Sequence, residues 1–223
     1  MDIKVSSGQS FGWNYTTHSG MADQAMESVD GLSRVEAHYT ARCATLPDFQ
    51  KSKLGWRNNA HFFFPNSKQK SYGFGANGKN NGLTRFLYYV EKAKTALTRD
   101  EQLRNCGYAM HYLQDADTPV HTQKGGILHK MFKVKLHTSF ERHPIWGATA
   151  HLSELQRDYI PQKVEFKTLE QLFYNTACFS SQPHLQPKYY NKKNWINIQH
   201  ECYNHGVDVC REFMKYMMKY IKK

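Results

Sequence analysis

Apolar side chains recur along most of this chain every three or four residues, the spacing of one face of an α-helix. The longest stripe lies near the C-terminus and passes through Trp195, Ile198, Cys202, Val209, Phe213, Met217 and Ile221. Two further stripes run through 21–35 and 83–97. Because a period near 3.6 residues places such positions on one side of a helix, these stripes predict amphipathic helices that each bury one face.

Short polar motifs predict where two more helices begin and where one ends. Residues 98–101 read TRDE and residues 168–171 read TLEQ. In such a capping box, the first hydroxyl and the acid or amide three residues later bind backbone N–H groups that the helix leaves free. Pro119 predicts that the first of these helices ends near Asp117, since proline lacks an amide hydrogen and disfavours helical geometry in the residue before it.

Alternating patterns typical of β-strands are scarce, and the best of them is FKVKLH at 132–137. The longest expected loop covers 47–82 and contains a GxGxxG match at 73–78. No strand pattern precedes that match, so a dinucleotide site is not indicated. We therefore predict an all-α protein, a compact multi-helix bundle with long connecting loops, folded as one domain over 13–223.

Composition and charge limit the surroundings in which this chain works. Its 223 residues include 40% hydrophobic and 14% aromatic residues, enough to build a core, and the formal net charge is +11. Such a surface attracts polyanions: anionic lipid, nucleic acid or a phosphorylated substrate. No apolar run reaches the roughly 18 residues of a membrane span. The N-terminus lacks the apolar core of a secretory signal, which leaves localisation open between retention in the cell, export by another route and loss of a leader.

The cysteines do not form the pattern of a disulfide framework. There are five of them, an odd number, and no CxxC pair occurs: Cys43, Cys106, Cys178, Cys202 and Cys210. We expect them to be mostly free, buried thiols.

The stretch HYLQDADTPVH at 111–121 concentrates residues that bind metals. His111 and Asp115 are four residues apart, so on a helix they share a face and can bind one ion together. His121 follows the proline turn, and the pair His137 and Glu141 repeats the four-residue spacing. Imidazole and carboxylate groups without a thiolate suit zinc in a catalytic, multi-ion site better than in a structural cysteine site.

The order of these motifs resembles the zinc-dependent phospholipase C family, which includes the clostridial alpha-toxins and is related to three-zinc single-strand nucleases. The family signature H-Y-x-G-D-x-x-x-P-x-H stands here as HYLQDADTPVH, and the motifs THSGMADQA, TLPDF, NAHFFFPN and LHTSFE recur in the family's order. The resemblance covers roughly residues 13–155. It implies a helical bundle with a metal cluster at the bottom of a cleft.

The resemblance also implies which residues bind up to three zinc ions, and all but one are histidines or carboxylates: Trp13, His18, His61, His111, Asp115, His121, His137 and Glu141. His61, His111 and Asp115 would bind the first ion. Asp48 would be the catalytic carboxylate, which accepts a proton from the attacking water or orients it.

The second ion would lie between His121, His137 and Glu141. The segment that joins the first two of these ligands is longer than in typical bacterial phospholipases. It contains His129, which competes for a place among the ligands, and His143 is a weaker competitor for the place of His137.

The third ion would be bridged by Asp115 and completed by His18 and by the main-chain nitrogen and oxygen of Trp13. In the family this tryptophan begins the mature chain and its free amine binds zinc, whereas twelve residues precede it here. Residues 1–12 are therefore a candidate propeptide or extension, and the third site depends on Trp13 becoming the N-terminus. A second departure is Gln114, which stands where the signature has glycine.

Such a cluster fits hydrolysis of a phosphodiester, because divalent ions acidify water and offset charge on phosphoryl oxygens. We expect a phospholipase C that cleaves glycerophospholipids to diacylglycerol at a membrane surface, which the pair His137 and Glu141 favours. A single-strand nuclease acting on nucleic acid is the alternative, favoured by the separation of Trp13 and His18 by five residues and by the lysines of 124–135. A non-catalytic zinc-binding descendant is a third hypothesis. We expect a monomer.

Overall fold

The structure, a computed structural model, describes residues 15–49, 61–65, 81–122, 159–185 and 195–222. Within these ranges the regular secondary structure is helical and no strand occurs, so the all-α prediction is confirmed. The helices are α1 (Tyr15–Met26), α2 (Arg34–Cys43), α3 (Leu46–Phe49), α4 (Gly82–Thr95), α5 (Arg99–Ala116), α6 (Pro119–Thr122), α7 (Leu169–Ser180) and α8 (Trp195–Met217), with a 3₁₀ turn at Pro183–Leu185.

Some sequence predictions fall outside the residues that the structure describes. They are the candidate propeptide 1–12, the GxGxxG match at 73–78, the lysine-containing segment 124–135 and the short strand at 132–137. These predictions stand as they were derived from the sequence.

Polar caps start α5 and α7 at the predicted positions. Thr98 accepts a hydrogen bond from the backbone N–H of Glu101 over 3.3 Å, and Thr168 accepts one from that of Gln171 over 3.1 Å. At the other end of α5, Asp117 is the C-cap, and α6 begins two residues later. The helix boundaries read from the capping motifs and from the proline are therefore confirmed.

The apolar stripes of α1 and α4 extend beyond the helices that they predict. Helix α1 ends at Met26, and Gly31, with φ of 83°, lies in the turn before Ser33 caps α2. That left-handed conformation is one that glycine adopts readily and other residues rarely do. The chain turns there, and Val35 beyond the turn is 79% exposed. Leu97, past the end of α4, is 81% exposed.

Helix α5 lies at the centre of the described bundle and packs against α1, α2, α4, α7 and α8. The core beside it is built on aromatic side chains from three of these helices. The ring of Phe86 lies 5.3 Å from that of Phe173 and 5.4 Å from that of Phe213, and all three side chains are fully buried. Burying each such side chain contributes about 1.5–3 kcal/mol, so this packing joins α4, α7 and α8, three of the helices that pack against α5.

Helices α2 and α5 approach each other closely at Gly107. A Cβ atom there would lie 2.5 Å from the carbonyl oxygen of Thr40 and 2.6 Å from Cβ of Cys43, distances that real side chains do not reach. The absence of a side chain therefore sets the spacing of the two helices. One turn further along α5 stands His111, which contacts the main chain at Ala44, just past the end of α2.

Two predictions from composition can be compared with this fold. All five cysteines are free thiols, four of them buried and Cys178 half-buried, as expected. Burial raises the pKa of Cys43 to about 11, which keeps this thiol protonated at neutral pH. Among the described helices, none combines the length and the apolar character needed to cross a membrane.

Candidate metal centre

Six buried, ionisable side chains meet beside the C-terminal half of α5. They come from α1, α3, α5, α6 and the short segment 61–65, and we call them the Asp115 cluster: His18, Asp48, His61, His111, Asp115 and His121. Charged and imidazole groups are rarely buried together unless they bind each other or a metal ion. The chemistry of the cluster therefore depends on how its atoms face one another.

Two overlapping trios within the cluster have the spacing needed to share an ion. One consists of His61, His111 and Asp115, and the other of His18, Asp48 and His111. In each trio, one potential ligand atom per residue lies within 4.8 Å of the others. The first trio is the set that the sequence resemblance assigns to one ion. The second brings Asp48 next to His18 and His111, a grouping that the resemblance did not include.

His111 is held in one tautomer by the main chain. Its Nδ1 lies 2.9 Å from the carbonyl oxygen of Ala44, and since a carbonyl only accepts hydrogen bonds, Nδ1 carries the proton. Nε2 then presents its lone pair to the cluster, 3.3 Å from Oδ2 of Asp115 and 3.1 Å from Nδ1 of His61. Burial lowers the pKa of His111 to about 3, so the ring is neutral at physiological pH.

Asp115 is the carboxylate at the centre of the cluster. Its Oδ2 lies 2.6 Å from Nδ1 of His61, and its Oδ1 lies 3.7 Å from Nε2 of His18 and 3.6 Å from Nδ1 of His121. Burial alone would raise the pKa of this carboxyl group. The facing imidazoles, led by His111, outweigh burial and hold the pKa below its ordinary range, so Asp115 is ionised.

Some buried atoms in the cluster have no hydrogen-bond partner among the described residues. They include Nε2 of His18 and Oδ1 of Asp115, which face each other. A buried polar atom without a partner costs about 1–3 kcal/mol. A cation between the two atoms would remove that cost. Their 3.7 Å separation is also compatible with a shared ion, because two zinc ligands at about 2.1 Å lie roughly 3.4 Å apart in tetrahedral geometry.

His121 is oriented by the segment that carries His61. Its Nδ1 donates to the carbonyl oxygen of His61 over 3.2 Å, and the N–H of Phe63 donates back to the carbonyl oxygen of His121 over 3.2 Å. The ring of Phe62 stacks on the imidazole at 4.9 Å. Because Nδ1 is the donor, Nε2 is the ring nitrogen of His121 that is suited to bind a metal.

The remaining predicted ligands, Trp13, His137 and Glu141, lie outside the described residues, as do the competing histidines His129 and His143. The second ion and the tryptophan contribution therefore stay predictions. The described part of the cluster consists of imidazole and carboxylate groups, the donor set of zinc in catalytic sites. Together with the two facing atoms of His18 and Asp115, this chemistry shows that the cluster could hold a metal ion.

Two partners of the histidines were not identified from the sequence. The carbonyl oxygen of Ala44 belongs to the main chain, so no sequence motif predicts its hydrogen bond to His111. The second partner is the side chain of Gln114, whose Oε1 lies 2.6 Å from Nδ1 of His18. Gln114 replaces the glycine of the family signature, and this departure is the sequence signal that points to it.

The helical architecture around this cluster is the one found in clostridial alpha-toxins. The alpha-toxin from Clostridium absonum superposes with a TM-score of 0.62 and 13% sequence identity, covering 97% of this chain and 65% of that one. Alpha-toxin from an avian strain of Clostridium perfringens gives a TM-score of 0.54 and 14% identity, with 96% and 64% covered. This chain thus spans slightly less than two thirds of the length of each toxin.

Identity this low shows likeness of fold alone. No protein-family model matches the chain, and no curated protein matches it by sequence. The alpha-toxin-like architecture expected from the sequence is confirmed, and activity has to be argued from the site.

Proposed function

We propose that this chain is a zinc-dependent phosphodiesterase and that it acts as a phospholipase C on glycerophospholipids. The Asp115 cluster carries the proposal, because its buried ring nitrogens and carboxylate oxygens face one another in a way that calls for a cation. The alpha-toxin-like arrangement of the helices and the order of the sequence motifs add support.

His61, His111 and Asp115 would hold one zinc ion, and His18 would share Asp115 with another. Zinc supplies Lewis acidity at such a site, acidifying water and offsetting negative charge on phosphoryl oxygens. The chain's own contribution is orientation. The bond from His111 to the carbonyl oxygen of Ala44 directs its Nε2 inward, and an outer hydrogen bond of this kind typically raises metal affinity 10–100-fold.

Asp48 is the proposed proton acceptor. It lies on α3 at the edge of the cluster, with Oδ1 3.9 Å from Nε2 of His111, and the residue is 8% exposed. A carboxylate in this position can orient a water molecule and take its proton as the water oxygen bonds to phosphorus. The phosphorus–oxygen bond to glycerol then breaks, and the departing glycerol oxygen takes a proton from solvent water, which leaves diacylglycerol and a phosphorylated headgroup.

Single-stranded nucleic acid is the second candidate substrate, since it presents the same phosphodiester group. The observation in its favour is the five-residue separation of Trp13 and His18. The net charge of +11 suits both substrates: basic residues contribute about 1 kcal/mol each at an anionic membrane, and they make nucleic-acid binding strongly salt-dependent. We favour lipid because His137 and Glu141 follow the phospholipase pattern.

The test compares two substrates under one metal condition. The purified full chain, loaded with zinc or treated with a chelator, is incubated with phosphatidylcholine vesicles and with single-stranded DNA. We expect chelator-sensitive release of diacylglycerol. DNA cleavage without diacylglycerol would replace the lipid assignment with a nuclease. Silence on both substrates, repeated with a chain that begins at Trp13, would identify a non-catalytic zinc protein or, without bound zinc, refute the proposal.

A pair of aspartate variants tests the proton acceptor. Asp48→Asn should lower diacylglycerol release by at least about 10²-fold, because general base catalysis typically contributes 10²–10⁴-fold, while zinc stays bound. The matched control is Asp23→Asn, which alters a surface aspartate 3.7 Å from His38 and should leave activity unchanged. Full activity of Asp48→Asn would assign proton transfer to another group.

A further inference from the structure

The side chain of Gln114 is fully buried, and both of its amide atoms contact His18. Its Nε2 lies 3.2 Å from the backbone oxygen of His18, and its Oε1 lies 2.6 Å from the ring nitrogen Nδ1. A backbone carbonyl only accepts hydrogen bonds, so the amide nitrogen must face it and the amide oxygen must face the ring. Because an amide oxygen also only accepts, Nδ1 of His18 carries the proton.

This contact determines what the other side of the His18 ring can do. In the neutral ring with hydrogen on Nδ1, Nε2 bears a lone pair, and it faces Oδ1 of Asp115 at 3.7 Å. Two lone pairs that face each other in a buried site repel unless a proton or a cation lies between them. With His18 in the neutral form, the Gln114 contact therefore prepares Nε2 to bind a cation.

The two contacts with His18 come from adjacent residues of one helix. Gln114 binds Nδ1 of the ring and Asp115 faces Nε2, so α5 fixes both the tautomer and the plane of His18. Glycine, which stands at this position in the family signature, has no side chain with which to make the first contact. The departure from that signature thus introduces an interaction across 96 residues of sequence.

We propose that Gln114 is a positioning residue that holds His18 in the tautomer and orientation needed to bind a metal ion. This inference rests on the proposed function, since it assumes that the Asp115 cluster holds zinc. A metal-binding histidine commonly donates its other ring N–H to a carboxylate or a backbone carbonyl, which fixes its tautomer and orientation. Here the amide oxygen of Gln114 would be that acceptor.

Two substitutions separate the role of the amide oxygen from that of the amide as a whole. Gln114→Met keeps the length of the side chain and removes both hydrogen-bonding atoms. Gln114→Glu keeps an oxygen acceptor for Nδ1 of His18. A methionine and an ionised glutamate both lack the donor to the backbone oxygen of His18, so the difference between the two variants reports the acceptor.

The readouts are zinc stoichiometry under competition with a chelator and the visible absorption of the Co²⁺-substituted protein. In Gln114→Met we expect zinc at the His18-dependent site to bind about 10–100-fold more weakly, with loss of that site's Co²⁺ bands. Zinc bound to His61 and His111 should be retained. Gln114→Glu should restore both readouts to within a few-fold of the unmodified protein.

The matched control is Gln102→Met, a second buried glutamine of α5. Its Nε2 donates to the carbonyl oxygen of Tyr220 over 3.2 Å, and its Oε1 accepts from the N–H of Lys222 over 2.9 Å. Gln102→Met therefore removes a pair of partly buried hydrogen bonds from the same helix, three turns away from Gln114. We expect a similar loss of thermal stability with unchanged zinc content and Co²⁺ spectrum.

The outcomes distinguish this inference from the proposed function. Absence of zinc from the unmodified protein would overturn both. Zinc in the unmodified protein, with Gln114→Met and Gln102→Met alike in metal content and spectrum, would overturn the role of Gln114 alone. If Gln114→Met fails to fold, Gln114→Asn, whose shorter amide stops short of the ring, replaces it with the same expectation.

Discussion

Two groups of polar residues in this protein, each with members on a long helix, differ in how their hydrogen-bonding atoms are matched. Beside α8, Arg211 donates to Oδ1 of Asp208 over 2.7 Å and to the carbonyl oxygen of Gln162 over 2.5 Å, while the hydroxyl of Tyr159 donates to Asp208 over 2.5 Å. We call these four residues the Arg211 network. Each acceptor in it faces a donor, whereas in the Asp115 cluster Nε2 of His18 and Oδ1 of Asp115 face each other and have no hydrogen-bond partner among the described residues.

The difference distinguishes polar groups that stabilise the fold, as in the Arg211 network, from polar groups arranged to bind a ligand, as in the Asp115 cluster. The Arg211 network ties the segment before α7 to α8 and is complete within the chain. In the Asp115 cluster, Nε2 of His111 presents its lone pair to an ionised carboxylate, and so does Nε2 of His18 when its ring is neutral. A divalent ion between these atoms would replace that repulsion with attraction.

The largest effect should come from Asp115→Asn, which removes the charge at the centre of the cluster. We expect loss of zinc from the sites that Asp115 shares and a fall in kcat/KM on phosphatidylcholine vesicles on the order of 10³, since a metal ion supplies several kcal/mol to such a reaction. Zinc content is measured by mass spectrometry.

Asp208→Asn is the control for that variant, because it alters a buried aspartate of the Arg211 network. It should keep its zinc at temperatures below its melting point. If Asp115→Asn retains full zinc content, the contrast between the two groups does not reflect metal binding.

Arg211→Met should produce the next largest effect, and on stability alone. It leaves the carboxylate of Asp208, whose side chain is 5% exposed, without its cation. Breaking a buried ion pair in this way typically lowers the free energy of unfolding by about 3 kcal/mol or more. Urea denaturation of the zinc-free protein measures the change, and zinc stoichiometry should equal that of the unmodified protein. A decrease of less than about 1 kcal/mol in the free energy of unfolding would show that the Arg211 network contributes little to stability.

Zinc itself should stabilise the protein. At a free zinc concentration of about 100 times Kd, ligand binding to the folded state contributes about 2.7 kcal/mol. For a chain of this size that corresponds to a rise in Tm of roughly 5–11 °C, which a chelator should reverse. The same shift is expected in Arg211→Met and a much smaller one in Asp115→Asn. Equal shifts in both variants would place the zinc elsewhere in the chain.

The smallest effect concerns a matched ion pair nearer the surface. Hydrogen bonding from Arg99, with further bonds from Ser33, lowers the pKa of Glu36 to about 2, and the Glu36 side chain is 25% exposed. A carboxyl group whose pKa is lowered by folding stabilises the fold above its unfolded pKa, about 4.5, and this contribution disappears as the pH falls towards 2. Allowing for solvent screening, we expect about 1 kcal/mol.

Glu36→Gln should therefore be less stable than the unmodified protein at pH 6, and the two should converge near pH 2. The free energy of unfolding, measured for both proteins across this range, gives the difference directly. A constant difference at every pH would assign the effect to packing instead of charge.

Local signals in the sequence predicted more of the fold than its apolar stripes did. Thr98 and Thr168 mark helix starts because their side chains act within one turn, and Pro119 ends α5 through its own backbone. The stripe through α1 continued past the helix to Val35, because periodicity does not register a turn that depends on the left-handed conformation of Gly31.

In the candidate site, too, local relations were predicted from sequence spacing and contacts between distant segments were not. His111 and Asp115 were paired from their four-residue spacing, which is a local relation along a helix. Their grouping with His61 came from a family resemblance, and the structure brings these side chains together. The contact between His18 and Gln114, and that between His111 and the carbonyl oxygen of Ala44, join distant segments and exist only once the helices have packed.

A close approach between α2 and α5 belongs to a residue that carries no chemistry, Gly107. An alanine at position 107 would press on the main chain of α2 at the carbonyl oxygen of Thr40 and force the two helices apart. One turn away, the hydrogen bond between Ala44 and His111 would lengthen with them. In a saturation mutagenesis screen for activity, position 107 should therefore tolerate replacement as poorly as a catalytic residue does. Such a screen would assign a catalytic role to a residue that only sets the distance between two helices.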